Sequence, residues 1–132
     1  MQIPKGNSKE DNTARKTIIK GYYTKWIAKN PEKKVWNKAL NAYIYVKNKS
    51  VNETSGQASI SYESTREVLR LTHILANASI HKVMPPKKND KNQKPYSSML
   101  IMYYKTAMLV VGKQRTTGEY VQYCISRKRH KK

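Results

Sequence analysis

SMLIMYYKTAMLVVGKQRTTGEYVQYCIS, residues 98–126, is the stretch whose reading decides the fold. Met99 to Tyr104 and Ala107 to Val111 are continuous apolar runs of strand length, as expected of strands buried on both faces. Tyr120 to Ile125 is rich in β-branched and aromatic residues, a composition that suits a pleated surface better than a helix. Thr116-Thr117-Gly118 supplies a short loop, and Gly118 can take the positive φ that such loops need. The stretch therefore predicts a three-stranded antiparallel meander that provides most of the core, with Lys105, Lys113, Arg115 and Arg127 on its rims.

Outward from the meander, the clearest helix is expected upstream. Ser64-Thr65-Arg66-Glu67 has the form of a capping box, followed by an apolar stripe of Val68, Leu71, Leu75 and Ala78 that should pack across the sheet. His73 lies beside this stripe and is expected to be partly buried and satisfied. His81-Lys82 then leads into a loop from Met84 to Pro95, rich in proline, lysine and amides. Further upstream, Ala58 to Tyr62 alternates like a short strand, and Asn48 to Gln57 reads as a loop or a β-turn connection. Val35 to Val46 is ambiguous: it could open as a helical turn, but AYIYVK (residues 42–47) is more easily a strand. The first helix is expected to start near Asn12 or Thr13 and to end at Asn30-Pro31. Ile18, Ile19, Tyr22, Tyr23, Trp26 and Ile27 form its packing stripe. Residues 1–12 read as a disordered N-terminus, 13–127 as one domain and 128–132 as a basic tail. The fold class is α+β, with an N-terminal helix and one central helix packed on a small antiparallel sheet that ends in the meander.

A chain of 132 residues is long enough for one domain with a real core. Its 27 Lys and Arg against 8 Asp and Glu give a formal charge of +19. Such an excess raises the local concentration of polyanions, and neutralising phosphates with release of counterions turns it directly into affinity. Nucleic acid is the expected partner, ahead of an anionic membrane surface. Ten Tyr, two Trp and no Phe place a polar atom on nearly every ring, and such rings at a basic rim are what base stacking uses. The candidate nucleic-acid contacts are Lys87, Lys88, Lys91, Lys94, Lys105, Lys113, Arg127, Lys128 and Arg129. No apolar run is long enough to span a bilayer, and the N-terminus has no apolar leader segment. The expectation is a cytoplasmic protein without a membrane partner.

Most chemistry is excluded. One cysteine and three scattered histidines form no zinc-spaced set. There is no phosphate-binding or dinucleotide glycine motif. The carboxylates are too few for a paired-acid or two-metal site, so no cofactor is expected. Cys124, in an apolar strand, reads as a buried reduced thiol. What survives is metal-free cleavage of RNA, whose 2′-OH is its own nucleophile, because that needs only cations and a proton-transfer group.

Residues 58–126 resemble the barnase/EndoU/RelE-like ribonuclease superfamily, particularly its divergent members on phage and plasmid elements. The resemblance rests on ILANASI (residues 74–80), the polar loop after it, and the three strands with their TGEYVQY segment (residues 117–123). It implies helices packed on one face of a twisted sheet and RNA cleavage by basic residues with His or Tyr. His81, Lys82, Arg115 and Tyr123 are the catalytic candidates by position. It also implies RNA rather than DNA as the partner, with an acidic protein such as an antitoxin as a second. The rival expectation is a non-catalytic DNA- or RNA-binding accessory protein of a mobile element.

Overall fold

The computed structural model describes residues 2–128. Helix α1 (Lys9–Lys29) leads into a hairpin of β1 (Lys34–Asn37) and β2 (Ala42–Tyr45). Three helices follow: α2 (Asn48–Ala58), α3 (Tyr62–Val68) and α4 (Leu71–Asn77). Then come β3 (Ser79–Met84), a 3-10 turn (Lys91–Gln93), β4 (Tyr96–Tyr104), β5 (Ala107–Gln114) and β6 (Tyr120–Arg127). The six strands form one open sheet in the order β1-β2-β6-β5-β4-β3. The α+β class, the N-terminal helix and the C-terminal meander are those expected from the sequence. The sheet is not wholly antiparallel, because β2 and β6 pair in parallel through Ile44–Tyr120 and Tyr45–Val121.

The cross-strand register assigns the faces. Leu100 pairs with Val111 and Met102 with Leu109, and Leu109 pairs with Ile125. These side chains belong to the main core with Ile19, Tyr23 and Trp26 of α1 and Leu71, Ile74 and Leu75 of α4. Met99, Val121, Tyr123 and Cys124 form a second cluster with Tyr96 on the other face. There Gly112 is required by close approach: a Cβ on it would lie 2.6 Å from the Tyr96 ring. Gly118 closes the β5–β6 turn with φ +73°, as its place in the sequence predicts.

Helix α1 starts earlier than Asn12. Ser8 caps it by accepting a hydrogen bond from the Asp11 amide (3.0 Å), and Glu10 and Asp11 in the first turn suit the positive end of the helix dipole. Buried Arg15 ties the residues before it: its Nη1 donates to the carbonyls of Pro4 (3.0 Å) and Gly6 (2.7 Å), and its Nε to that of Ser59 (2.6 Å). Part of the segment expected to be disordered is therefore helical or anchored.

Further expectations change. Residues 48–58 form α2 instead of a loop, because Ser50, Thr54 and Ala58, spaced four apart, are all buried. Small side chains let the helix sit close to β6, which compensates for its weak intrinsic propensity. Ala58 to Tyr62 is the junction of α2 and α3 rather than a strand. The single central helix is two. Ser61, not Ser64, caps α3 by accepting from the Ser64 amide, and the chain turns at Leu69–Arg70 before α4. Ser64 Oγ accepts from the Arg127 amide instead (2.9 Å). His73 is exposed on α4, off the apolar stripe.

Leu75 is fully buried in the main core, so Leu75→Ala should lower stability by about 2–5 kcal/mol, read as a drop in the denaturant midpoint. Gly112→Ala should cost about 1–3 kcal/mol by overpacking against Tyr96, and an unchanged midpoint would show that the ring does not sit on β5.

Candidate nucleic-acid interface

His81 and Lys82 lie on β3, an edge strand exposed along almost its whole length, and not at a helix–loop junction. A bulge between Ile80 and Lys82 leaves His81 outside the regular register. Its ring stacks on Tyr103 of β4, with centroids 4.5 Å apart and planes 27° from parallel. The Lys128 ammonium lies 4.4 Å from the same Tyr103 centroid, a cation–π distance. Lys82 pairs across the strands with Ile101, and Tyr103 with Met108, so both stand on this face by register. Ile101, Tyr103, Met108 and Val110 are all half-buried. The result is a shallow platform of apolar and aromatic side chains edged by His81, Lys82 and Lys128.

The other end of this face is closed. Residues 85–95 fold back over it, and buried Gln93 accepts a hydrogen bond from the Lys87 amide (2.7 Å). Asp90 accepts from the Asn92 amide within the same turn. Arg115 fastens this loop to the end of β5: its amide donates to the Pro95 carbonyl (2.9 Å) and its Nε to the Lys94 carbonyl (3.1 Å). Lys87, Lys88, Lys91, Lys94 and Arg115 are exposed here. Beneath the loop, Tyr123 packs edge-on against Tyr96 (6.0 Å, 87°). It is the extra residue of a bulge in β6, between Gln122 and Cys124. Burial, and then the nearby Glu53 carboxylate, push its phenol well above the usual range. Burial likewise pushes the Cys124 thiol up to about 12, which keeps it protonated and inert.

The four catalytic candidates are thus not brought to one place. His81 and Lys82 share the platform. Arg115 lies beside Pro95, about 20–25 Å along β4 from Tyr103 at the rise of an antiparallel strand. Tyr123 is buried beneath the 85–95 loop, against Tyr96. Of the binding candidates, Lys128 flanks the platform, Lys105 lies with its ammonium 5.4 Å from the Tyr104 ring on the helix-covered side, and the four loop lysines surround Arg115. Lys113 pairs with Tyr120, its ammonium 5.7 Å from that ring, on the helix-covered side. Arg127 lies on that side too, with its Nε 3.7 Å from Glu67. Arg129 is outside the described residues, as is the rest of the tail after Lys128.

Charge is left over where the platform stands. Glu67 is engaged by Arg70 and Arg127, Glu119 by Lys47 and Glu32 by Lys34. Lys82, Lys105, Lys128 and the loop lysines form no ion pair with a described carboxylate. Tyr103 is the candidate ring that sequence reasoning missed. The signal was available, since a period of two from Met99 through Ile101 places Tyr103 on the same face.

The family model described as Large polyvalent protein-associated domain 3 matches residues 14–122, from the first turns of α1 into β6. No curated protein and no solved structure matches the chain. The family match agrees with the expected association with phages and other mobile elements and carries nothing about a ribonuclease superfamily. Since it takes in all four helices and every strand in whole or part, the chain belongs to the Large polyvalent protein-associated domain 3 family.

Proposed function

We propose that this domain is a nucleic-acid-binding module of a mobile element, directed at unpaired RNA, and that its contact surface is the platform around Tyr103. The observation that carries this reading is the Tyr103 ring with the His81 imidazole stacked on it and the Lys128 ammonium 4.4 Å from its centroid. An aromatic ring beside cations on a shallow sheet face suits a splayed base and its phosphate, the usual mode of single-strand recognition. Double-stranded DNA presents no unstacked base to such a surface. The excess of +19 supplies the sequence-independent part of the affinity.

Binding without cleavage is the form that the geometry favours. RelE-like cleavage would need cations and a proton-transfer group around one phosphate, and Arg115 and Tyr123 stand apart from His81 and Lys82.

Fluorescence anisotropy with a short single-stranded RNA, in EDTA and over a range of salt, tests the proposal. Tyr103→Ala should weaken binding by about 1–3 kcal/mol, the worth of one stacked base. Lys128→Ala should reduce the log–log salt slope by roughly 0.7 for one lost phosphate contact. Both variants binding like the parent would remove the platform from the interface, and flat salt dependence would remove nucleic acid as the partner. A gel of the same samples should show intact RNA; cleavage lost in a His81→Ala variant would instead establish the ribonuclease.

A further inference from the structure

On the helix-covered side of the sheet, at the end that carries the platform, α3, the end of β6 and residues 2–5 enclose an open depression of about 1120 Å³. Its lining carries Lys5, Arg66, Arg70 and Arg127 around a single carboxylate, Glu67. That carboxylate is only 3% exposed. It accepts hydrogen bonds from Arg70 Nη2 (2.5 Å) and Thr106 Oγ1 (2.5 Å) and lies 3.7 Å from Arg127 Nε. One negative charge holds two guanidiniums from different elements and offsets only part of the local positive charge. Each guanidinium has five N–H donors, and Glu67 with Thr106 uses a minority of them. Both guanidiniums are already held in place by this carboxylate, which lowers the entropy cost of binding a ligand.

Half-buried Tyr62 supplies the planar element. Arg66 Cζ lies 5.5 Å and Lys5 Nζ 5.2 Å from its ring centroid. The wall formed by residues 2–5 does not depend on chance contacts, since Arg15, 1% exposed, holds the Pro4 and Gly6 carbonyls from beneath. Replacing this planar fork by lysine would lose its simultaneous grip on Pro4, Gly6 and Ser59.

We infer that this depression binds a nucleoside phosphate, with the base against Tyr62 and the phosphate between Arg66, Arg70 and Arg127. The same chemistry has two sources, a free nucleotide or the 5′-phosphate end of an RNA chain. The site is on the opposite side of the sheet from Tyr103 and does not need the platform reading to hold.

Calorimetric titration of the full chain at low salt, with ADP as probe, tests it. Arg66 is exposed and forms no ion pair with a described carboxylate, so Arg66→Ala leaves the fold intact. Saturable one-to-one binding of ADP is expected, weakened at least about tenfold in Arg66→Ala, or about 1.4 kcal/mol. Tyr62→Leu should weaken ADP while leaving inorganic pyrophosphate as before, and Tyr103→Ala should change neither. A second arm compares 5′-phosphorylated with 5′-hydroxyl RNA of the same sequence. A gain from the phosphate that is lost in Arg66→Ala, without ADP binding, identifies the chain end as the source. The proposal is overturned if ADP fails to saturate up to about 1 mM and the 5′-phosphate brings no gain, or if Arg66→Ala changes neither. Pyrophosphate binding as tightly as ADP would overturn the nucleoside part.

Discussion

Gln122 is fully buried in the middle of β6, and its amide has to be satisfied there, because an unpaired buried polar group costs more than a hydrogen bond gains. Its Oε1 accepts from the Tyr23 hydroxyl (2.7 Å) and its Nε2 donates to Thr54 Oγ1 (2.6 Å). Tyr23 is on α1 and Thr54 on α2, so three segments distant in sequence meet in one polar knot inside an apolar core. Burial pushes the Tyr23 phenol far above its usual range, so it serves as a fixed neutral donor. Satisfied networks of this kind specify an arrangement as well as stabilising it. Here the knot fixes where α1 and α2 rest on the sheet.

From that placement follows the contrast between the two faces. The helices cover one face except at β3, where Ile80 and Val83 remain exposed. The other is covered only at the end where residues 85–95 fold down on Tyr96, Met99 and Tyr123. The bulge at Tyr123 lets Gln122 turn to the helices while the ring goes to the far side, so β6 is buried on both faces. The remaining part of the open face is bounded by the edge strand β3. Its unpaired backbone would invite pairing with other strands, and His81, Lys82 and the bulge beside them are the usual protection of such an edge. The same residues that guard the edge give the platform its cations.

The end of β6 serves both sides. Arg127 pairs with Ala107 and turns to Glu67, while Lys128 reaches the Tyr103 ring on the other side. Alternation along one strand thus delivers one cation to each proposed contact surface. Glu67 is the counterpart on the helix side: a lone carboxylate placed to organise positive charge.

The chain's own pattern was enough for the meander, the Gly118 turn, the α1 stripe with Ile19, Tyr23 and Trp26, the buried Cys124 and the net charge. Each is a local property, of apolar run length, turn chemistry, helical period or composition. Tertiary structure decided the rest. Asn48 to Ala58 is polar and weakly helical, and becomes α2 only because Thr54 finds Gln122 and small residues meet β6. The Ser64–Glu67 capping signal was real chemistry used elsewhere, since Ser64 accepts from Arg127 and Glu67 holds two arginines. His81 and Lys82 read as a helix exit until β4 supplied a partner strand. Tyr123 could be assigned to a face only after a bulge was known. Burial, register and ion pairing between distant segments depend on what the chain folds against, and no local spacing encodes that.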